Sequence, residues 1–490
     1  MNAAAPAAPL SREDMLARMY ASDPAADGRF LTGVLTTGIY CLPSCRARKP
    51  NAENVRFFES EDDARAAGLR PCRRCRPHHF YERYDPDLHL AAGIAARVRR
   101  DPGSLRALDD VVRASGVGAT RLHALFRRHF HTTPAAFLAC ARVSAARELL
   151  AAGPAGTGTG EVAFAVGFES VSAFYDRFRR ATGLTPGEYR RLGEQPRFRL
   201  RLPADYRPAY ALRMLARDPE SRTEGARGSA AFKVLRLPSG PAVLRMDLAG
   251  GAADCSVDAE RSPGPDDVRA AHAAAVRLLG LAEDPAPFER RATERGDGRL
   301  VEGRRGLRVP LTADPWEALV WAVVGQQVNL PFACALRREL ADLCGEPAGG
   351  GLLAHPGPDA LAGLDAADLR RRRFSGRKAE YLLEAARQVA SGELPLAELA
   401  ESPATVAEQR LQAIRGIGPW SARYVLMRGF GLGDCVPVGD SALATALQRW
   451  LDLDGRPGPA ETAALMERFA PFRSLATFHL WQTLGAPVSP

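Results

Sequence analysis

Four cysteines stand close together early in the chain: Cys41 and Cys45, then, after a gap of 26 residues, Cys72 and Cys75. Thiolates are soft ligands, and two close pairs supply the four corners of a tetrahedral Zn2+ site, so one Zn2+ on these four sulfurs is expected. Spacing alone also fits a closed structural site. The neighbours Arg46, Arg48, Arg73 and Arg74 suggest more, because cations beside a metal-held thiolate can hold phosphates. A second chemical candidate lies far downstream. Asp440, in Val436-Pro-Val-Gly-Asp-Ser-Ala-Leu-Ala444, follows by about twenty residues the sequence Gly416-Ile-Gly418-Pro-Trp420. Two glycines before a helix-starting proline make a hairpin whose amides can face a phosphate without reading sequence. Read locally, the Gly-x-Gly is a plain helical turn and Asp440 an N-cap.

The elements that must position these groups fall into four segments. Residues 1–85 are cysteine-bearing and rich in turns. Residues 86–192 are dense amphipathic helix, ending at Gly193-Glu-Gln-Pro196. Residues 197–310 mix alternating stretches (198–202, 231–237, 242–248) with a helix near 266–279, an α+β pattern. Residues 311–490 are again nearly all helix, broken by Gly/Pro-rich loops at 345–358 and 455–459. In the second segment Leu105, Leu108, Val111 and Val112 form one apolar stripe, Ser115-Gly-Val-Gly118 a turn, and Leu122, Leu125 and Phe126 a second stripe. That is helix-turn-helix spacing, with Arg121, Arg127 and Arg128 on the polar side beside Thr120 and His123. A second unit runs from Glu161 through a Gly167-Phe168 turn into a helix with Phe174 and Phe178 inward and Ser172, Arg177 and Arg179 outward. The glycine-rich stretch 153–160 precedes it and predicts a late or frayed helix start.

At 490 residues the chain exceeds a single core, and 66 Lys+Arg against 57 Asp+Glu leave a formal +9 that suits a polyanionic partner. No apolar run approaches the roughly 18 residues needed to cross a bilayer, and the amino terminus lacks a basic leader. A cytoplasmic, nucleoid-associated protein with no membrane partner is expected. Nine cysteines in such a chain argue against a disulfide framework, and Cys140, Cys334 and Cys344 read as buried small hydrophobes.

Three resemblances bear on these residues. Thr36-Thr-Gly-Ile-Tyr-Cys41-Leu-Pro-Ser-Cys45-Arg-Ala-Arg48 and Arg70-Pro-Cys72-Arg-Arg-Cys75 resemble the zinc domain of the Ada-type methylphosphotriester repair proteins. That resemblance implies that Cys41 is both ligand and nucleophile. The two helix-turn-helix units, with their Gly-Phe turn and Thr185-Pro-Gly-Glu-Tyr-Arg190 ending, resemble the AraC-type DNA-binding domain. From about Phe198 onward the chain resembles the helix-hairpin-helix glycosylases of the AlkA type, through Gln326-Gln327, the hairpin, Asp440 and Arg468 to Trp481. It implies that Asp440 is the catalytic aspartate, that Trp420, Tyr424 and Trp481 line the base pocket, and that Gln327 wedges into the duplex. Bifunctional relatives place a lysine where Trp420 stands, so no Schiff-base lyase step is expected. The cysteine cluster of iron-sulfur relatives is missing.

The expected protein is multidomain and mainly α: a small zinc-binding α/β domain, an all-α double helix-turn-helix domain, an α+β domain and an all-α helix-hairpin-helix glycosylase domain. Its expected work is alkylation repair and its regulation. Cys41 takes methyl from DNA methylphosphotriesters, the methylated protein activates promoters, and the glycosylase releases bases of the 3-methyladenine type. Expected partners are alkylated and promoter duplex DNA and RNA polymerase, with the protein a monomer. The alternative is a zinc-containing regulator whose C-terminal half grips DNA without catalysis. A methylguanine transferase is disfavoured, since no Pro-Cys-His-Arg motif occurs.

Overall fold

The computed structural model describes residues 10–81, 84–152 and 157–485. Its chain forms two compact units, Met1–Leu90 and Ala91–Pro490.

The first unit is built on strands β1 (Leu31–Val34), β2 (Ile39–Cys41), β3 (Val55–Phe58) and β4 (Arg70–Pro71), in sheet order β3-β1-β2-β4. Strands β1 and β2 form a hairpin that turns at Gly38, whose φ of +63° is the left-handed conformation glycine adopts without strain. Strand β4 runs parallel to β2, pairing Ile39 with Arg70 and Tyr40 with Pro71. Tyr40, fully buried among Leu31, Leu42, Phe58 and Leu69, fixes the sheet on its core and donates its hydroxyl to Glu61 at 2.8 Å.

In the second unit the helix Leu108–Ser115, a turn at Gly116 (φ +66°) and the helix Ala119–Phe130 make the first helix-turn-helix. Val111, Leu122, Leu125 and Phe126 are buried as their spacing predicts. Val112 is only half-buried, and Leu108 departs further. It is left 40 % exposed at the first residue of its helix, while Leu105 fills the core from the turn ahead. The second pair is Thr159–Ala165 and Val171–Thr182, capped by the Ser170 hydroxyl, with Phe174 and Phe178 fully buried. Of the glycine-rich stretch, residues 153–156 lie outside the described residues, and the helix begins at Thr159. Cys140, expected to be buried, is exposed, because it lies off the stripe Leu138, Val143, Ala146 and Leu150 that its helix turns inward.

The α+β part is one antiparallel sheet of β5 (Arg197–Arg201), β6 (Glu224–Arg227), β7 (Ala230–Leu237), β8 (Gly240–Asp247) and β9 (Ala252–Asp258), in order β5-β9-β8-β7-β6. The sequence pattern contains β5, β7 and β8; β6 and β9 are additions, short or interrupted by polar residues. Apolar packing is continuous from the second helix-turn-helix into this sheet across the turn at Gly193. His272, on the helix Pro265–Leu278, joins the two: its Nε2 lies 2.8 Å from the Thr182 carbonyl.

The remaining helices surround Pro315–Val324, which is buried on every side from Trp316 onward. The sheet is tied to this bundle by ions. Lys233, with no exposed surface, donates to Glu224 at 2.8 Å and Glu317 at 2.7 Å, and Arg337 bonds both carboxylates. Removing one member would strand buried charge, which typically costs about 3–5 kcal/mol.

Candidate DNA-repair sites

The parallel register of β2 and β4 assembles the thiolate site. Cys41 ends β2, Cys72 follows β4, and the Cys72 amide donates to the Tyr40 carbonyl at 2.9 Å, so the two cysteine pairs meet at one end of the sheet. Their four Sγ atoms lie within 4.8 Å of one another. Tetrahedral Zn–S bonds of about 2.3 Å require sulfurs about 3.8 Å apart, so the cluster needs little contraction to hold the ion. The thiols also compete for protons. Hydrogen bonds to Cys45 and Cys75, with burial, push the Cys41 pKa up, whereas hydrogen bonds from Cys41 and Cys75 bring Cys45 down to about 2. Four crowded sulfurs thus share protons unless a cation replaces them, and this is the donor set of a Zn2+ site. The protein binds Zn2+ through Cys41, Cys45, Cys72 and Cys75. Cys45 and Cys72 are buried, Cys41 and Cys75 half-buried, and Arg46, Arg48, Arg73 and Arg74 are exposed nearby in sequence.

On the recognition helices, Arg121 and Arg128 are exposed and Arg127 is half-buried. Arg179 is exposed and lies 3.6 Å from Asp176, while Arg177 is half-buried beside the Cys140 thiol. Arg177 is therefore less outward than its position in the sequence pattern suggests.

The second chemical centre forms where three segments meet. Asp440 is indeed the N-cap of Ser441–Leu451, its Oδ1 accepting the Leu443 amide at 2.7 Å. The same carboxylate accepts two indole N–H groups, Trp481 Nε1 on Oδ1 at 3.0 Å and Trp420 Nε1 on Oδ2 at 3.1 Å. Capping and a further role are therefore compatible, and three donors hold the carboxylate in one orientation. Tyr424, 5 % exposed, lies behind Trp420 with ring centroids 5.6 Å apart and planes 26° from parallel. A base between two rings needs them about 7 Å apart, so the space between Trp420 and Tyr424 is closed and only the outer aromatic faces are available.

The hairpin is built from the helices Ala404–Gln412 and Pro419–Tyr424. Gly416 has φ +87°, and a Cβ there would lie 2.2 Å from the Tyr381 ring, so geometry and space both demand glycine. Gly418 differs. Its φ of −87° suits any residue, and a Cβ would meet nothing within 4 Å, which leaves its bare backbone open to a ligand. Gln327 is exposed with φ +53°, a conformation costly for a side-chain-bearing residue. Its neighbour Gln326, not singled out by sequence reasoning, braces the site: Nε2 donates to the Gly416 carbonyl at 2.9 Å and the Ser421 hydroxyl at 3.0 Å. The tandem Gln-Gln was visible, but which one turns inward depends on the backbone reversal at Gln327. Lys378, lowered to about 8 by burial, likewise donates to the Val324 carbonyl behind this loop.

Three stretches of the chain match known families. Residues 14–78 match the metal binding domain of Ada, 111–192 a helix-turn-helix domain, and 320–471 the HhH-GPD superfamily of base excision DNA repair proteins. The chain is 38 % identical over 178 residues to the bifunctional transcriptional activator/DNA repair enzyme Ada of Escherichia coli, covering 36 % of this chain and 48 % of that one. The 3-methyladenine DNA glycosylase of Archaeoglobus fulgidus shares the fold over 58 % of this chain and 97 % of its own, with a TM-score of 0.52 at 20 % identity. The probable bifunctional transcriptional activator/DNA repair enzyme AlkA of Mycobacterium tuberculosis is 32 % identical over 501 residues, 95 % of each chain. With metal-binding, helix-turn-helix and base-excision-repair matches following one another along this chain and a relative of 32 % identity matched over 95 % of each chain, the chain belongs to the family of bifunctional transcriptional activator/DNA repair enzymes of the AlkA and Ada type.

Proposed function

We propose that the chain repairs two kinds of alkylation damage and uses one repair event to switch on transcription. The observation that carries the glycosylase reading is the Asp440 carboxylate, gripped by the indoles of Trp420 and Trp481 beside a glycine hairpin. Alkylation makes a purine cationic and a good leaving group, so little acid catalysis is needed. The duplex is held by the amides around Gly416 and Gly418, and Gln327 fills the gap left by the flipped nucleotide. The electron-poor base stacks on the outer faces of Trp420 and Trp481, with Tyr424 supporting Trp420 from behind. As the glycosidic bond breaks, its electrons leave with the base; Asp440 faces the sugar cation and directs water to it, and as the C–O bond forms the water's proton passes to the Asp440 carboxylate and on to solvent. Substrates are bases of the 3-methyladenine type. With Trp420 in place of a lysine, the reaction is hydrolysis alone.

At the other site Zn2+ keeps the ligating sulfurs deprotonated at neutral pH. The Cys41 sulfur attacks the methyl carbon of a methylphosphotriester. A C–S bond forms, the C–O bond breaks, and the phosphodiester leaves with the electron pair. The phosphates are held by Arg46, Arg48, Arg73 and Arg74. The thioether has no route back, so each protein acts once. A formal site charge of about −2 falls to about −1, repulsion from DNA drops, and the recognition helices with Arg121, Arg127, Arg128, Arg177 and Arg179 then hold a promoter for RNA polymerase. The protein acts as a monomer in the nucleoid, with domains at 1–85, 86–192, 197–310 and 311–490.

One experiment tests both halves. Full-length protein is incubated with duplex carrying radiolabelled methyl groups on phosphates and bases. Free 3-methyladenine and a single labelled peptide containing Cys41 are expected. Label on Cys45, Cys72 or Cys75, or no released base, would overturn the corresponding half.

A further inference from the structure

The first helix-turn-helix is docked on the glycosylase helices. At the end of its recognition helix, Ala119–Phe130, His129 is fully buried with Nδ1 3.2 Å from the Thr405 hydroxyl, and His131 Nδ1 lies 3.6 Å from the Cys435 thiol. Beside this contact opens a cleft of about 730 Å3. Arg127 and Arg128 line it from the recognition helix, Arg290 and Arg291 from the helix Ala286–Glu294, and Arg473 from the chain beyond. Of the three acids at the cleft, Asp434 and Glu467 are engaged by Arg473, the former at 2.7 and 2.8 Å, while Glu294 is exposed at the end of its helix and makes no ion pair among the described residues. Among the described residues, Arg127, Arg290 and Arg291 make no ion pair with a carboxylate, and Arg291 Nε, shielded from solvent, has no hydrogen-bond partner. Arg127 lies 5.9 Å over the Phe472 ring. Burial lowers its pKa, Asp434 opposes this, and the approach of Arg291 lowers it further.

Guanidinium groups from opposite walls of a half-desolvated cleft repel one another unless an anion with several charges enters. The recognition helix indicates which anion. Its exposed residues Thr120, Arg121, Ala124 and Arg128 recur at helical spacing on one side. At about 1.5 Å per residue, Arg121 and Arg128 are roughly 10 Å apart along the axis, close to the width of the major groove. A duplex whose groove takes the first half of the helix therefore brings its backbone to the cleft. We propose that the cleft holds backbone phosphates of the duplex read by the first recognition helix, with Arg290 and Arg291 as phosphate ligands supplied by the glycosylase half. The glycosylase domain is then part of the regulatory DNA-binding surface. The inference rests on that recognition helix binding duplex DNA.

The test measures binding of a 30-base-pair undamaged duplex to the full chain by fluorescence anisotropy across a salt series. Each lost phosphate contact lowers the slope of log K against log salt by about 0.9. Arg290→Gln is expected to lower it by about 0.9, and Arg290→Gln/Arg291→Gln by about 1.8, with affinity at low salt down at least about threefold. Arg290→Lys/Arg291→Lys should keep the slope. Arg290 is exposed, so the single variant reads the outcome even if the double variant folds poorly. Arg121→Ala separates the two readings. If it weakens binding while Arg290→Gln matches the parent, the cleft proposal falls and the helix reading stands; if neither matters, both fall. Separate contacts on one duplex add, so Arg290→Gln should lower the slope by about 0.9 in the Arg121→Ala background as well, and an unchanged slope there would overturn the proposal. Loss of poly-glutamate binding with duplex binding intact would assign the cleft to an acidic protein segment instead.

Discussion

Replacing Asp440 by asparagine separates its structural role from its chemical one. The carboxylate accepts three N–H donors: the Leu443 amide and Trp481 on Oδ1, and Trp420 on Oδ2. Asparagine retains one acceptor oxygen. Turned to keep the cap and Trp481, it points its own NH2 at the Trp420 N–H, and that donor loses its partner. An unsatisfied donor costs about 1–3 kcal/mol, more than the few tenths expected of a change in capping alone. The lost charge is a separate matter. A carboxylate about 4 Å from a developing sugar cation, at an effective dielectric of about 20, contributes roughly 4 kcal/mol. A more cautious value of about 3 kcal/mol still predicts at least a hundredfold slower excision. The assay is single-turnover release of 3-methyladenine under saturating enzyme, with thermal melting in parallel. Asp440→Asn should melt earlier and excise at least a hundredfold more slowly. Adding Trp420→Phe, which removes the stranded donor, should recover most of the stability relative to Trp420→Phe alone and none of the rate. A folded Asp440→Asn protein excising within about threefold of the parent would show that Asp440 is only a cap.

Metal analysis should find about one Zn2+ per chain, and Cys72→Ser should lose it together with the fold of the first unit; normal folding with less than half an equivalent would refute the four-cysteine site. Methylation of Cys41 should tighten DNA binding at low salt, with the gain shrinking as salt rises, since one negative charge is lost beside the backbone; equal affinities at low salt would rule out an electrostatic switch. Gly416→Ala should lower the melting temperature of the second unit, because its Cβ would collide with Tyr381 at a φ of +87°, whereas Gly418→Ala should melt like the parent; similar melting of both would contradict the geometry. Burial depresses the His272 pKa from 6.5 to about 4. Its contribution is therefore fully present above pH 6.5 and lost as pH falls through 4, about 3 kcal/mol in all. His272→Gln, which can still donate to Thr182, should flatten stability against pH across that window, and an unchanged acid profile in chemical unfolding would refute the assignment.

The sequence by itself determined the chemistry and the local backbone. Two close cysteine pairs specify a thiolate metal site whatever lies between them, because ligand type and number decide the ion. Glycine at 416 and proline at 419 specify the hairpin, because backbone conformation is set within a few residues. The inward stripes of the two helix-turn-helix units were largely legible for the same reason: helical period is a local property, though Leu108 at a helix end is exposed and Val112 is only half-buried. Tertiary structure decided what depends on residues far apart in the chain. Strand register set the meeting of Cys41 with Cys72. Three distant segments brought Trp420, Asp440 and Trp481 together, so that an N-cap, the locally favoured reading, also became a carboxylate held by two indoles. The buried Lys233 cluster and the convergence of Arg127 with Arg291 have no counterpart in sequence spacing. Charge pairing acts through space, and a string of residues carries the charges without the distances between them.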